Sequence, residues 1–176
     1  MNARDEHHLI RQVQAGDKEA LGKLWDVITP KLFGYLINIL KDRHTAEDVL
    51  QSTWLKAIQN ISKYQIRNAS FSAWVFAIAR NECNQHWRKN HATVEQDEIE
   101  QEPAVADQSE LKILVEQILQ SLSDDDKELL RLRYIADLPI NQIATILGIS
   151  YISCRVRIHR ALSKARKIYQ TSHANF

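Results

Sequence analysis

The stretch 138–167 admits few folds. Pro139 can open a helix, because its missing N–H lacks an intrahelical partner there in any case. Ile143, Ala144 and Leu147 then share one face at helical spacing. Gly148 stands where a helix stops in the left-handed conformation, and Ser150 is a good N-cap for the next helix. That helix carries Cys154, Ile158, Ala161, Leu162 and Ala165 on one face and Arg155, Arg157, Arg160, Lys164, Arg166 and Lys167 on the others. No Asp or Glu occurs from Ser150 to the last residue. Two short helices meeting at a glycine, the second cationic, predict a helix-turn-helix whose second helix reads a DNA major groove. The plainer alternative is a solvated basic helix in an ordinary helical hairpin.

The 3.6-residue period runs through the rest of the chain and sustained alternation is absent, which predicts an all-α protein. Only 4 Gly and 3 Pro in 176 residues agree with much helix and few loops. A first helix is expected over 5–15 and a second from near Asp17, with Pro30 marking a break or a new start. Leu32, Tyr35, Leu36 and Ile39 continue the helical spacing. Thr45 and Asp48 form a T-x-x-D capping pattern ahead of a stripe of Ala46, Val49, Leu50, Thr53, Trp54, Ala57 and Ile58. Residues 62–70 are polar and read as a loop. Ser70 can cap a long helix to about Lys89, with Phe71, Trp74, Val75, Ile78 and Ala79 inward. Ser109 opens a further helix through Leu111, Leu114, Val115, Ile118 and Leu119, and Ser123 with Asp126 caps another before Leu129, Leu130 and Leu132. The expected architecture is two small helical domains, 1–91 and 109–176, joined by a flexible acidic linker over 92–108, with the helix-turn-helix in the second.

The net charge of +1 averages two opposed regions. The C-terminal helix is basic, whereas Glu95, Asp97, Glu98, Glu100, Glu102, Asp107 and Glu110 lie in a run without Lys or Arg. Such asymmetry suggests a nucleic-acid-facing surface beside an acidic connector. Cys83 and Cys154 are far apart, lack a C-x-x-C context and occupy apolar helix positions, so buried free thiols in a reducing compartment are expected. The N-terminus lacks the apolar core of a signal peptide, and no apolar run is long enough to span a membrane. A cytoplasmic location without membrane insertion follows as the expectation. His7 and His8 read as a solvated pair, and His86 and His91 lack ligand spacing and a third donor. No metal or cofactor is expected.

A second candidate surface lies in the first half. Tyr64, Arg67, Phe71, Trp74, Phe76, Arg80, His86, Trp87, Arg88 and Lys89 interleave aromatic and basic groups. Aromatic faces can stack unpaired bases while Arg and Lys hold phosphates, at roughly 1–3 kcal/mol per stacked base. Phe71 and Trp74 share the apolar stripe and equally suit a core. Asn81 carries an amide that can both donate to and accept from a base edge.

Four blocks of this chain together resemble the extracytoplasmic-function (ECF) sigma factors of bacterial RNA polymerase. AGDKEAL (15–21) is similar to that family's opening segment, and AEDVLQSTWLKA (46–57) to its AED-x-x-Q-x-x-F block. FSAWVFAIARNECNQHWRK (71–89) resembles its F-x-x-W-x-x-x-I-A-R-N block, and LPINQIATILGISYISCRVRIHRALSKAR (138–166) its C-terminal helix-turn-helix. The resemblance implies a non-enzymatic initiation factor whose first domain melts and recognises the promoter's minus-ten element. Lys63, Tyr64, Arg67 and Asn68 of the 62–70 loop, with Arg80, Asn81, Trp87, Arg88 and Lys89, would hold the single strand. Ser153, Arg155, Val156, Arg157, His159 and Arg160 would meet the minus-thirty-five element, although Arg157 could instead be structural. Glu47, Asp48, Leu50, Gln51, Thr53 and Trp54 would dock on core RNA polymerase. The implied partners are promoter DNA, the β′ clamp helices and β flap of core polymerase, and an anti-sigma factor. The chain departs from the family pattern at Gln85, Trp87, Pro139, Gln142 and Val156, and without a Glu at 142 an internal pair with Arg157 cannot form. The rival is a helix-turn-helix regulator acting without being a polymerase subunit. It would need a receiver or ligand-binding domain, and no βα pattern is present. A recombinase would need a Ser or Tyr nucleophile in a basic cluster, and Ser52, Ser70 and Ser72 lack that context.

Overall fold

The computed structural model describes residues 3–65, 70–93 and 118–173. Among them every regular element is helical, so the protein is all-α as expected. The chain divides into two compact units, Met1–Glu102 and Pro103–Phe176. Apart from residues 92 and 93, which end a helix, the expected linker lies outside the described residues. So does nearly all of the helix expected from Ser109, of which only 118–120 are described, as helix.

The first unit contains α1 (Ala3–Gln14), α2 (Lys18–Leu40), α3 (Arg43–Asn60), a short 3₁₀ turn (Ile61–Lys63) and α4 (Phe71–Thr93). Asp17 caps α2, its carboxylate accepting from the Glu19 and Ala20 amides at 2.8 and 3.2 Å. The helix does not break at Pro30. Pro30 offers no N–H to the Asp26 carbonyl, but both residues lie on the exposed side, where water can serve that oxygen. Nor does the pattern at Thr45 and Asp48 cap α3. Asp42 does so three residues earlier, accepting from the Thr45 amide at 2.6 Å. Hydrogen bonds from the Thr45 side chain and then its backbone hold the Asp42 carboxyl below its ordinary range. Ser70 caps α4 through the Ala73 amide at 3.1 Å.

Trp54 is the hub of this unit. It is buried on α3, stacks on Trp25 of α2 at 4.6 Å between centroids, and donates its indole N–H to Thr29 at 3.1 Å. Phe71, at the start of α4, lies 6.5 Å from it. Ile10, Leu24, Leu32, Tyr35, Leu36, Val75 and Phe76 fill the remainder, with Tyr35 and Phe76 edge to face at 5.4 Å. Phe76 therefore belongs to the core, not to a nucleic-acid surface. Cys83 is buried and not in a disulfide, as is Cys154 in the second unit.

The second unit contains α5 (Asp124–Leu130), a π-helical turn (Arg131–Ile135), α6 (Ile140–Leu147) and α7 (Tyr151–His173). Ser123 caps α5 through the Asp126 amide. Pro139 lies just outside α6 as its N-cap, with extended backbone. Gly148 ends α6 at φ 65°, its N–H directed to the Ala144 and Thr145 carbonyls. Ser150 accepts from the Ser153 amide at 3.1 Å and so starts α7. Leu122, Leu129, Leu132, Leu138, Ile143, Cys154, Ile158 and Ala161 are buried together as the core, while Leu162 and Ala165 are only half-buried. An added Cβ at Gly148 would meet nothing within 4 Å, so a substitution there is penalised by backbone conformation alone. Gly148→Ala is therefore expected to destabilise this unit by about 1–2 kcal/mol, measured by chemical denaturation.

Two candidate nucleic-acid interfaces

The described residues flanking 66–69 are held on each side by α1. Gln14 of α1 donates to the Ile61 and Tyr64 carbonyls at 2.9 and 3.0 Å. Glu6, buried on α1, accepts from the Phe71 amide where α4 begins. Tyr64 packs edge-on to Phe71 at 5.4 Å and against Trp74 at 5.1 Å. Tyr64 is thus buried and unavailable to stack a base, which corrects its expected role. Its aromatic surface is spent on Phe71 and Trp74.

Beside this cluster an open depression of about 420 Å³ is lined by Lys56, Asn60, Lys63, Trp74, Ile78, Asn81, Glu82 and Gln85. Trp74 and Ile78, assigned inward by the apolar stripe, are half-buried and form its apolar wall. The Lys56 ammonium meets the Glu82 carboxylate at 2.6 Å, tying α3 to α4 within its lining. Asn60 donates to the Lys56 carbonyl at 2.9 Å. Asn81 and Gln85 are exposed and line it, so their amides are accessible there. An aromatic wall with amides and a cation at the rim can take a flat, polar-edged group such as a nucleobase. Lys63 and Asn81 are brought together here. Arg67 and Asn68 lie outside the described residues. Trp87, Arg88 and Lys89 are exposed further along α4, and Arg80 is half-buried. Lys56, Asn60 and Glu82 were not singled out from the sequence. The missing signal is the Lys56–Glu82 pairing across 26 positions, which no local pattern announces.

On α3 the expected docking face is only partly exposed. Glu47, Asp48 and Gln51 face solvent, Glu47 paired with Arg43 at 2.8 Å, and Leu50 is half-buried. Thr53 and Trp54 are corrections, because both are buried. Thr53 spends its hydroxyl on the Val49 carbonyl at 2.7 Å, and Trp54 is the aromatic hub. Leu55 and Ile58, 56% and 42% exposed, extend this surface instead.

On α7, Tyr151, Ile152, Arg155, Val156, His159 and Arg160 line a shallow groove of about 360 Å³. Ser153 is exposed, and its hydroxyl accepts from Ser150 at 2.9 Å. Arg157 is exposed but does not line the groove. Burial pushes the Cys154 thiol up, and the charge of Arg157 partly opposes this. Lys164 is held away from the groove by Asp126 of α5 at 2.5 Å.

A helical protein with an aromatic-walled, amide-rimmed depression on one unit and a basic helix-turn-helix on the other has the features of a nucleic-acid-binding protein with two candidate surfaces. The Sigma-70 region 2 family profile matches residues 24–93, and the Sigma-70, region 4 profile matches residues 112–164. The ECF RNA polymerase sigma factor SigW of Bacillus subtilis (strain 168) is 28% identical over 176 residues, covering 90% of this chain and 93% of that protein. The fold is similar to that of CnrH, solved in complex with the cytosolic domain of CnrY (TM-score 0.73, 21% identity, 95% of this chain and 98% of that one). It is also similar to that of RpoE in complex with the anti-sigma factor NepR from Bartonella quintana (TM-score 0.65, 22% identity, 85% of this chain and 96% of that one). The chain belongs to the ECF sigma factors of RNA polymerase.

Burial, and then the negative charge of Glu6, push the Tyr64 phenol up to about 12. An unfolded tyrosine ionises near pH ~10. Above that the unfolded state loses its proton first, so stability falls as pH rises from the unfolded value towards the folded one. Tyr64→Phe should flatten this fall in alkaline denaturation curves. A Tyr64 phenolate absorbance that rises at the ordinary tyrosine pH would contradict the burial.

Proposed function

We propose that this sigma factor directs promoter-specific initiation by dividing promoter DNA between its two units while core polymerase holds both. The exposed face of α3, with Glu47, Asp48, Leu50 and Gln51, docks on the β′ clamp helices. The second unit contacts the β flap. Lys63, Asn81 and Trp74 receive an unpaired base of the minus-ten non-template strand. Arg67, Asn68, Arg80, Trp87, Arg88 and Lys89 hold its neighbours and their phosphates. Binding bases only when they are unpaired favours the melted promoter over the duplex, so binding energy becomes strand opening without any covalent step.

The α7 helix supplies the duplex contact at the minus-thirty-five element, where Arg155, His159 and Arg160 approach base edges or phosphates. Joining two modest contacts through one enzyme raises the effective concentration of each. The domains implied are 1–91 and 109–176, with 92–108 as connector. The site of action is the cytoplasm, with the polymerase. The relative RpoE was solved with an anti-sigma factor, which supports an anti-sigma partner for this chain too. The observation that carries the proposal is the depression that sets Asn81 and Lys63 against the Trp74 wall.

Run-off transcription with purified core polymerase tests it. The protein should direct initiation from promoters at which it recruits polymerase in the cell. Failure both to bind core enzyme and to start transcripts from any of them would sink the reading. Asn81→Ala, which removes a hydrogen bond worth about 1 kcal/mol, should slow open-complex formation about fivefold. Arg155→Ala should lower the slope of log affinity against log salt by about one for minus-thirty-five duplex.

A further inference from the structure

The groove on α7 carries more apolar surface than phosphate binding needs. Ile152 is 73% exposed, Tyr151 51% and Val156 41%. Ile152 and Val156 are four residues apart, so they are neighbours on one helix face. They lie in the first two turns after the Ser150 cap, the part of a recognition helix that reaches base edges. Arg155, His159 and Arg160 flank them along the same groove. In water these aliphatic side chains gain nothing from that position, and a basic surface helix is ordinarily polar there. Their surroundings carry positive charge without a carboxylate from Ser150 onward. The groove therefore matches a ligand that offers methyl groups beside phosphates. In the DNA major groove that methyl is the C5 substituent of thymine.

We propose that Ile152 and Val156 read the C5-methyl groups of thymines in the minus-thirty-five element, making them specificity-determining residues of this sigma factor. The proposal rests on the reading of α7 as the minus-thirty-five helix. Arg155 and Arg160 grip the backbone and adjacent purines, while the aliphatic pair reports the presence of a methyl. A serine at 156 would lose that report.

The test uses the full chain assembled with core polymerase on the promoter at which it recruits polymerase most strongly. Each minus-thirty-five thymine is replaced singly by deoxyuridine, which keeps base pairing and deletes the methyl. At sub-saturating holoenzyme, initiation should fall about fourfold at one or two positions, the equivalent of one buried methyl. Ile152→Ser should abolish the difference between thymine and uracil at one such position, and Val156→Ser at the neighbouring one. Both residues are exposed, so the substitutions leave the core intact. Thymine and uracil templates of equal activity would overturn the proposal, as would a minus-thirty-five element without thymine. So would an Ile152→Ser defect of equal size on both templates, which would assign the strip to a protein contact. In each case the unmodified promoter still reports initiation by the wild-type chain, so the sigma reading stands or falls separately.

Discussion

The first unit depends on a continuous run of aromatic contacts. Trp25 stacks on Trp54, Trp54 approaches Phe71, and Phe71 meets both Tyr64 and Trp74. This run crosses α2, α3 and α4 and ends at the wall of the depression. The geometry of that wall is therefore set by the core and not by a surface loop alone. Glu6 reinforces it by accepting from the Phe71 amide, which fixes α1 to the start of α4. A rigid wall matters for capture of an unpaired base, because the ordering cost falls on the DNA strand and not on the protein.

The second unit solves a different problem with different means. Among the described residues its core is aliphatic, built on Leu122, Leu129, Leu132, Leu138, Ile143 and Ile158, with the small Cys154 and Ala161 between them. Cys154 and Ala161 let α7 approach its neighbours closely, and Ile158 lies between them. The π-helical turn after α5 and the left-handed Gly148 shape the two corners around α6. With one face of α7 committed to this packing, Arg155, His159 and Arg160 stand on another with Ile152 and Val156. The proposed duplex contact thus lies on a helix surface, whereas the proposed single-strand site is built against a core.

The helical period, Gly148, Ser70, Ser123 and Ser150 were legible in the sequence because caps and turns are local chemistry. Pro30 misled, since a proline on the exposed side of a helix ends nothing when water can satisfy the orphaned Asp26 carbonyl. The start of α3 misled because Asp42 and Thr45 both suit a cap, and only geometry selects Asp42. Thr53, Trp54 and Tyr64 look functional by side-chain type, yet type does not report burial. Thr53 finds a carbonyl one turn back, and the two aromatics find each other's neighbours. The depression was half legible: Asn81 stood out, but its lining needs Lys56 and Glu82 from helices that meet only in the fold. Ile152 was overlooked because an apolar residue outside the apolar stripe reads as noise until its exposure is known.

The central claim is that the two surfaces hold different forms of DNA. Its most direct measurement is a crossed binding experiment with the holoenzyme, using a single-stranded minus-ten non-template oligonucleotide and a minus-thirty-five duplex. The account predicts that Asn81→Ala weakens only the single strand and Arg155→Ala only the duplex. If either substitution weakened both ligands equally, the division of labour between the two units would be contradicted.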